Sequence, residues 1–367
     1  MPRFTLLRSR WTGTALSVFS GLLAASLAGS VLRAADCNSN GVDDLQDIAA
    51  GTSSDCNSNA TPDECDAQPG HVSFELAQTY AGLISRVTVA DLDGDGLPDL
   101  VSSRPTNPDV VWLRNEGGAT FAAPAELGVG FRANHVTAAD LDGDHDMDLI
   151  AVEEQGTQLA VLLNAGNAAF TKLPVIALAE SGGKPEAADL DADGDLDIVV
   201  PSSYGAPIST LINEGASGFS GPVVSTPPAE WAWSIVLRDL DGDSDIDLAT
   251  ANAGDASQPG STVSVFRNPG NGAFGEPETF GVGVFPTKLL AEDLNGDSRL
   301  DLVSLNDSSE DVSVLLGQAN GGFAAEQRTA VGPSPEVIAA ADVDGDGDVD
   351  LVVTGPNIGP SAQGNTD

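Results

Sequence analysis

The sequence predicts an all-β fold, in the form of a β-propeller of four-stranded blades, and three observations predict it. A nine-residue acidic loop occurs six times, its first aspartates spaced 49, 49, 50, 54 and 49 residues apart. Each interval holds short runs of small and β-branched residues, with no stretch of helical periodicity between them. Five intervals place a phenylalanine after a tight turn: Phe121, Phe170, Phe219, Phe274 and Phe323 trail the first loop aspartate by 30, 30, 30, 35 and 30 residues.

The chain begins with a segment of a different kind. Residues 1–35 carry Arg3, Arg8, Arg10 and Arg33 and no acid, with an apolar run from Ala15 to Ala28. Small residues fill Ala24 to Ser30, so the segment reads as a secretory signal peptide cut after Ala28, Ser30 or Ala35. The run is shorter than the roughly 20 residues a membrane span needs, and nothing downstream is longer and as apolar. No membrane span is expected, and the protein is placed in the secreted or cell-surface class, extracellular or periplasmic in a bacterium.

Without that segment, 11 basic residues face 55 acidic ones, a formal charge of −44. Such a surface excludes nucleic acid and anionic membrane as partners. Six calcium ions would bring the charge to about −32, and without them the carboxylates of each loop repel one another, so metal binding and stability are linked.

Residues 36–66 form a double loop module. Asp36, Asn38, Asn40, Asp44 and Asp47 stand at positions 1, 3, 5, 9 and 12 of an EF-hand-type frame, with Gly41 at position 6. The frame recurs 19 residues on at Asp55, Asn57, Asn59, Asp63 and Asp66, with Ala60 in the glycine place. The pair resembles the calcium repeats of dockerins and thrombospondin type 3 segments, and is similar to short Asp-Cys-Asn units near the start of exported bacterial proteins. Of three cysteines, Cys56 and Cys65 lie nine residues apart in the second loop and make the first candidate bridge; a Cys37–Cys56 bridge between the loops is the alternative.

From 71 to 367 the chain is organised by the nine-residue loop. Its first copy, Asp91 to Asp99, offers carboxylates at Asp91, Asp93, Asp95 and Asp99 and a backbone carbonyl at Leu97. Oxygen donors at alternate positions of a tight loop suit a hard cation that takes six to eight oxygens, which points to Ca2+. The counterparts are Asp140, Asp142, Asp144, Asp146 and Asp148, then Asp189, Asp191, Asp193, Asp195 and Asp197, and in the fourth copy Asp239, Asp241, Asp243, Asp245 and Asp247. The fifth comprises Asp293, Asn295, Asp297, Arg299 and Asp301, and the sixth Asp342, Asp344, Asp346, Asp348 and Asp350. Position 6 is glycine in three copies and His145, Ser244 and Ser298 in the others, so glycine is preferred there without being required. Aspartate and glycine favour turns on their own, but turn chemistry does not ask for aspartate at four set positions in six copies.

The second repeat shows the blade. Val136 to Ala139 leads into the loop, Leu149 to Val152 leaves it, Leu159 to Leu163 is a third strand, and Phe170 opens a fourth through Ile176. Four short strands in about 49 residues is the length of one propeller blade. The late Phe274 locates an insertion of about five residues in the fourth blade, in the Gly254 to Ser261 hairpin. Each phenylalanine is expected to fill the space between neighbouring blades.

With these motifs, residues 85–355 resemble the FG-GAP/VCBS repeats of integrin α-chain heads, exported bacterial proteins and some fungal lectins. The resemblance implies a propeller, commonly of seven blades, with calcium held between the first two strands of each blade by Asp91, Asp93, Asp95, Asp99 and their counterparts. The Phe-Gly and Gly-Ala-Pro wording is eroded to Phe121-Ala122-Ala123-Pro124 and Phe274-Gly275-Glu276-Pro277. Six repeats allow six or seven blades. Val72 to Tyr80 is expected to complete the final blade as its outermost strand; otherwise the chain is a fragment of a larger propeller, the reading slightly preferred.

No serine or cysteine stands in a nucleophile frame, and carboxylates committed to calcium are poor acid–base groups. Glu153-Glu154 is the nearest free pair. The chain is read as a binding scaffold for an extracellular protein or glycan, not an enzyme. Trp231 and Trp233 point the same way on a strand and are candidates for stacking on a sugar, with core packing as the alternative. Two further readings are a lectin-like module and an accessory domain of an extracellular enzyme.

Overall fold

A computed structural model describes residues 3–9, 74–81, 86–103, 109–117, 120–202, 207–225, 232–255, 257–343 and 348–355. The double loop module, with Cys56 and Cys65, lies outside the described residues. The chain forms two compact units, one of Met1–Phe4 with Tyr80–Asp367 and one of Thr5–Thr79.

In the larger unit each of five repeats folds as its own antiparallel sheet in chain order. The second repeat pairs Ala133–Ala139, Asp148–Glu153, Gln158–Asn164 and Phe170–Lys172; the first strand starts three residues before the one read from sequence, and the fourth stops at Lys172, with Ile176–Ala177 a separate short strand. The acidic loop is always the hairpin between the first two strands. Its register is constant: Ala90 faces Asp99, Ala139 faces Asp148, Ala188 faces Asp197, Arg238 faces Asp247, Glu292 faces Asp301 and Ala341 faces Asp350. The closing aspartate is therefore the first residue of the second strand in every repeat. In the fourth repeat the second and third strands lengthen to Asp247–Gly254 and Pro259–Phe266, which is where the spacing placed the insertion.

Second strands such as Asp99–Ser103 and Asp301–Asn306 are buried along their whole length, on both faces. That pattern belongs to a sheet covered on both sides: in Asp301–Asn306, Leu302 packs with the preceding repeat and Val303 and Leu305 with the following one. The core is accordingly divided among successive pairs of repeats. Leu92 of the first shares a cluster with Phe170 of the second; Leu141 pairs likewise with Phe219, Leu190 with Phe274 and Leu240 with Phe323. The phenylalanines do fill the space between neighbours, against the apolar second position of the previous loop. Phe323 also meets Phe280 edge to face, ring centres 5.3 Å apart.

The propeller is not borne out. The sixth repeat contributes only the hairpin Val337–Ala341 and Asp350–Thr354, a two-stranded sheet. The strand expected to complete it, Phe74–Ala81, pairs instead with Arg3–Ser9. Among the described residues no sheet closes into a barrel or propeller. Closure by a radial array needs each blade to carry its outer strands, and among the described residues the sixth repeat shows only its first two. The hairpin shows the consequence: Asp350–Thr354 alternates between more and less covered positions, where the corresponding strand Asp247–Gly254 is buried throughout. The architecture is an all-β succession of repeated antiparallel sheets, and the described residues hold no α-helix.

Candidate metal sites in the hairpin loops

The loop shapes itself with its own carboxylates. In the first copy Asp91 Oδ1 accepts from the Gly94 N–H at 2.9 Å and Oδ2 from the Gly96 N–H at 2.7 Å. Asp95 Oδ1 accepts from the Leu97 N–H at 2.9 Å. The second, fourth and fifth copies repeat the bond from position 6 to the first aspartate, with donors His145, Ser244 and Ser298. Position 6 is left-handed even there, φ being 74°, 78° and 64°. Those three accept the backbone strain that glycine avoids, and an added Cβ at Gly96 would meet nothing within 4 Å. His145 is exposed.

The closing aspartate is the anchor. Asp148 Oδ2 accepts from the Leu141 N–H and Oδ1 from the Asn164 N–H, both at 2.7 Å, and the side chain is fully buried. Burial pushes its pKa up to about 6, and that of Asp197 likewise to about 6. Asp99, Asp247 and Asp301 are raised for the same reason. At Asp142 and Asp191 burial and then the neighbouring carboxylates Asp144 and Asp193 act in the same direction.

Four loops gather the carboxylates of positions 1, 3 and 9: Asp91, Asp93 and Asp99; Asp140, Asp142 and Asp148; Asp189, Asp191 and Asp197; Asp239, Asp241 and Asp247. In each group one oxygen per residue lies within 4.8 Å of the others. Two oxygens bound to one calcium at 2.3–2.6 Å stand at most about 5 Å apart, so the spacing fits. In the third loop Asp189 Oδ1 and Asp191 Oδ1 are buried with no hydrogen-bond donor, a costly state for a charged oxygen that a cation would relieve. Position 5, expected to be a ligand, stands outside these groups: Asp95, Asp144, Asp193 and Asp243 each accept from the backbone of position 7. The fifth loop, with Asn295 for a carboxylate, is not among the four. Asp344 and Asp346 of the sixth lie outside the described residues, while Asp350 accepts from the Val343 N–H at 3.1 Å.

The loops differ in their counter-charge. Arg114 is ion-paired with Asp93 and, at 3.2 Å, Asp95. Arg267 Nη1 lies 2.6 Å from Asp247, with Asp241 close by, and Arg299 is paired with Asp297. Loops two and three have Leu163 and Ile212 at the place of Arg114.

One set of residues escaped the sequence reading. Asn164 Nδ2 donates to Met147 O at 3.2 Å in its own loop and to Leu92 O at 2.8 Å in the previous one. Asn213 bridges Leu196 and Leu141 in the same way, and Asn268 bridges Ile246 and Leu190. These buried amides latch each loop to its neighbour. A signal was present: Asn115, Asn164 and Asn213 each follow the closing aspartate by 16 residues. Asn213→Ala would leave two carbonyls without their donor, and a loss of about 2–3 kcal/mol is expected in urea unfolding.

Trp233 is the extra residue of a bulge and is 51% exposed, so it is not a core side chain. Its ring meets Phe285 edge to face at 5.4 Å; Trp231 lies outside the described residues. Glu154 is ion-paired with Arg132 at 2.8 Å, which removes Glu153-Glu154 as a free pair.

Comparison with known proteins agrees with the repeat. No curated protein is significantly similar in sequence. Among solved structures, that of BBS1N in complex with ARL6DN, soaked with lead, has a TM-score of 0.52 at 13% identity, over 74% of this chain and 78% of that one. A functionally unknown protein from Desulfotomaculum acetoxidans has a TM-score of 0.50 at 11% identity, over 69% and 71%. The Tc holotoxin pore of Photorhabdus luminescens is matched at 20% identity and a TM-score of 0.39 over 74% of this chain, which spans 13% of the toxin chain. At these identities the likeness to the first two is one of fold. The FG-GAP-like repeat model matches 91–151, 140–200, 189–250, 239–304 and 293–353, each match running from one acidic loop through the next. Repeats of this kind are non-catalytic modules, and the reading of the chain as no enzyme rests on that. With these five overlapping matches across 91–353, the chain belongs to the family of FG-GAP-like repeat proteins.

Proposed function

We propose that the protein is a secreted, calcium-stapled scaffold that presents its loops to an extracellular protein or cell surface. The observation that carries this reading is the recurrence of three convergent carboxylates in four successive loops. Asp91, Asp93 and Asp99 would hold the first ion, and the equivalent residues the others. The ion supplies the positive charge that the buried closing aspartates otherwise lack, so the chemistry is structural. No described helix is long and apolar enough to cross a membrane, and export rests on the signal-like residues 1–35. In this reading the double loop module at 36–66 is a separate calcium-binding domain.

Calorimetric titration of the chelated protein tests it. Four calcium ions per chain are expected from the described loops, with further uptake from 36–66 and the sixth loop. Adhesion to immobilised extracellular-matrix proteins should require calcium. Uptake of no more than one ion overturns the site assignment; equal adhesion with and without calcium overturns the scaffold. A lectin-like reading has one observation in its favour, the exposed Trp233 against Phe285. It predicts retention on a glycan array that Trp233→Ala abolishes.

A further inference from the structure

The seam between repeats is filled four times and stands open at the fifth. Leu92, Leu141, Leu190 and Leu240, the apolar second residues of their loops, are 6% exposed or less, each packed with the phenylalanine of the next repeat. Leu294 holds the same place in the fifth loop, is only partly buried, and among the described residues has no phenylalanine in its cluster. Beside it runs a groove of about 400 Å³, between Val312 and Val314 of the fifth repeat and Leu351 and Val353 of the sixth. Val314 is partly exposed there, where Val161 at the same place in the second repeat is fully buried.

The sixth repeat also presents an open strand edge to this groove. Among the described residues Asp350–Thr354 pairs with Val337–Ala341 alone, whereas the equivalent Asp301–Asn306 pairs on its far side with Asp311–Leu315. The two strands begin alike, as Asp301-Leu302-Val303 and Asp350-Leu351-Val352. An edge of this kind offers backbone N–H and C=O groups to a further strand. The closing carboxylate has a place open as well. In the five earlier repeats its Oδ1 accepts from an N–H at or just past the end of the third strand, that of Asn115, Asn164, Asn213, Asn268 or Gly317. Asp350 lines the groove and is 7% exposed; among the described residues only the Val343 N–H donates to it, and to Oδ2.

We propose that this groove is the docking site for a β-hairpin of a partner polypeptide, one with the chemistry of the third and fourth strands of a repeat of this kind. Its leading strand pairs through the backbone with Asp350–Thr354, sets alternate apolar side chains against Val314, Leu351 and Val353, and brings an N–H to Asp350 Oδ1. The turn that follows carries an aromatic ring over Leu294. Two observations identify this occupant. The four equivalent seats earlier in the chain are each filled by such a hairpin with its phenylalanine. The groove also continues the core that Val303, Leu305, Val312 and Ile338 already share between the fifth and sixth repeats.

The probe is a synthetic peptide of residues 311–330, which holds the fifth repeat's third and fourth strands with Phe323 between them. Titrated with the full calcium-loaded chain and followed by fluorescence anisotropy, it should bind saturably, and a scrambled peptide should not. Phe323→Ala in the peptide should weaken binding at least tenfold while leaving the protein untouched. Val353→Glu in the chain should do the same, since it sets a carboxylate in the groove and spares the fifth repeat's own hairpin. A probe that does not saturate, or that binds equally after both changes, overturns the proposal. Binding seen only in a chain cut after Gly355 also overturns it, by making residues 356–367 the occupant. So does self-association that Val353→Glu abolishes, by making the occupant a second copy.

Discussion

In 10 mM calcium the protein is expected to melt roughly 20–40 °C above its chelated form. With affinities of about 10⁻⁴ M, as extracellular modules show, each occupied loop adds ~2.7 kcal/mol of stability. Four described groups then add about 11 kcal/mol, at about 2–4 °C per kcal/mol for a unit of this size. The contribution should be unequal. Arg114 and Arg267 already neutralise part of the first and fourth loops, whereas the second and third have no such cation. Asp142→Asn and Asp191→Asn should each remove more of the shift than Asp241→Asn. Differential scanning calorimetry of the three variants, with and without calcium, checks both the size and the order. A melting point indifferent to calcium would mean that the loops hold their shape by hydrogen bonds alone.

The chelated protein should also be more stable at pH 5 than at pH 7.5. Asp148 and Asp197 titrate near pH 6 in the folded chain, against about 3.9 when unfolded. Between those values the folded state binds more protons, so stability falls as pH rises. The contribution of these two carboxyls is full below pH ~3.9 and is lost as pH passes about 6. By linkage it amounts to ~3 kcal/mol for each. Calcium reverses the slope in the same window, since protons then compete with the ion for both carboxylates. Urea unfolding at the two pH values, in chelator and in 10 mM calcium, would show lines that diverge as pH rises. Parallel lines would sink the assignment of the closing aspartates as ligands.

The repeat was legible because its signals are local and frequent. The loop frame fixed the hairpin between the first two strands, and the phenylalanine spacing located both the core between repeats and the long fourth hairpin. The latch was harder to see. Asn164 looks like a turn residue, and its second partner, Leu92 O, lies 72 positions away. Position 5 of the loop also accepts from the backbone through one oxygen, a role its spacing does not show. Closure misled for another reason. It depends on where strand Phe74–Ala81 goes, and its partner, Arg3–Ser9, lies in the segment read as a signal peptide.

The latch has a mechanical consequence. Asn164, Asn213 and Asn268 each join a repeat to the one before it, so a pull along the chain loads these joints in series. Units coupled only to their neighbours yield one at a time. If it acts as the scaffold proposed here, the protein should lengthen under load in steps of about one repeat, and an ion held in a loop would raise the force at which that loop gives way. Local calcium would then tune how much strain the tether takes up before it lets go.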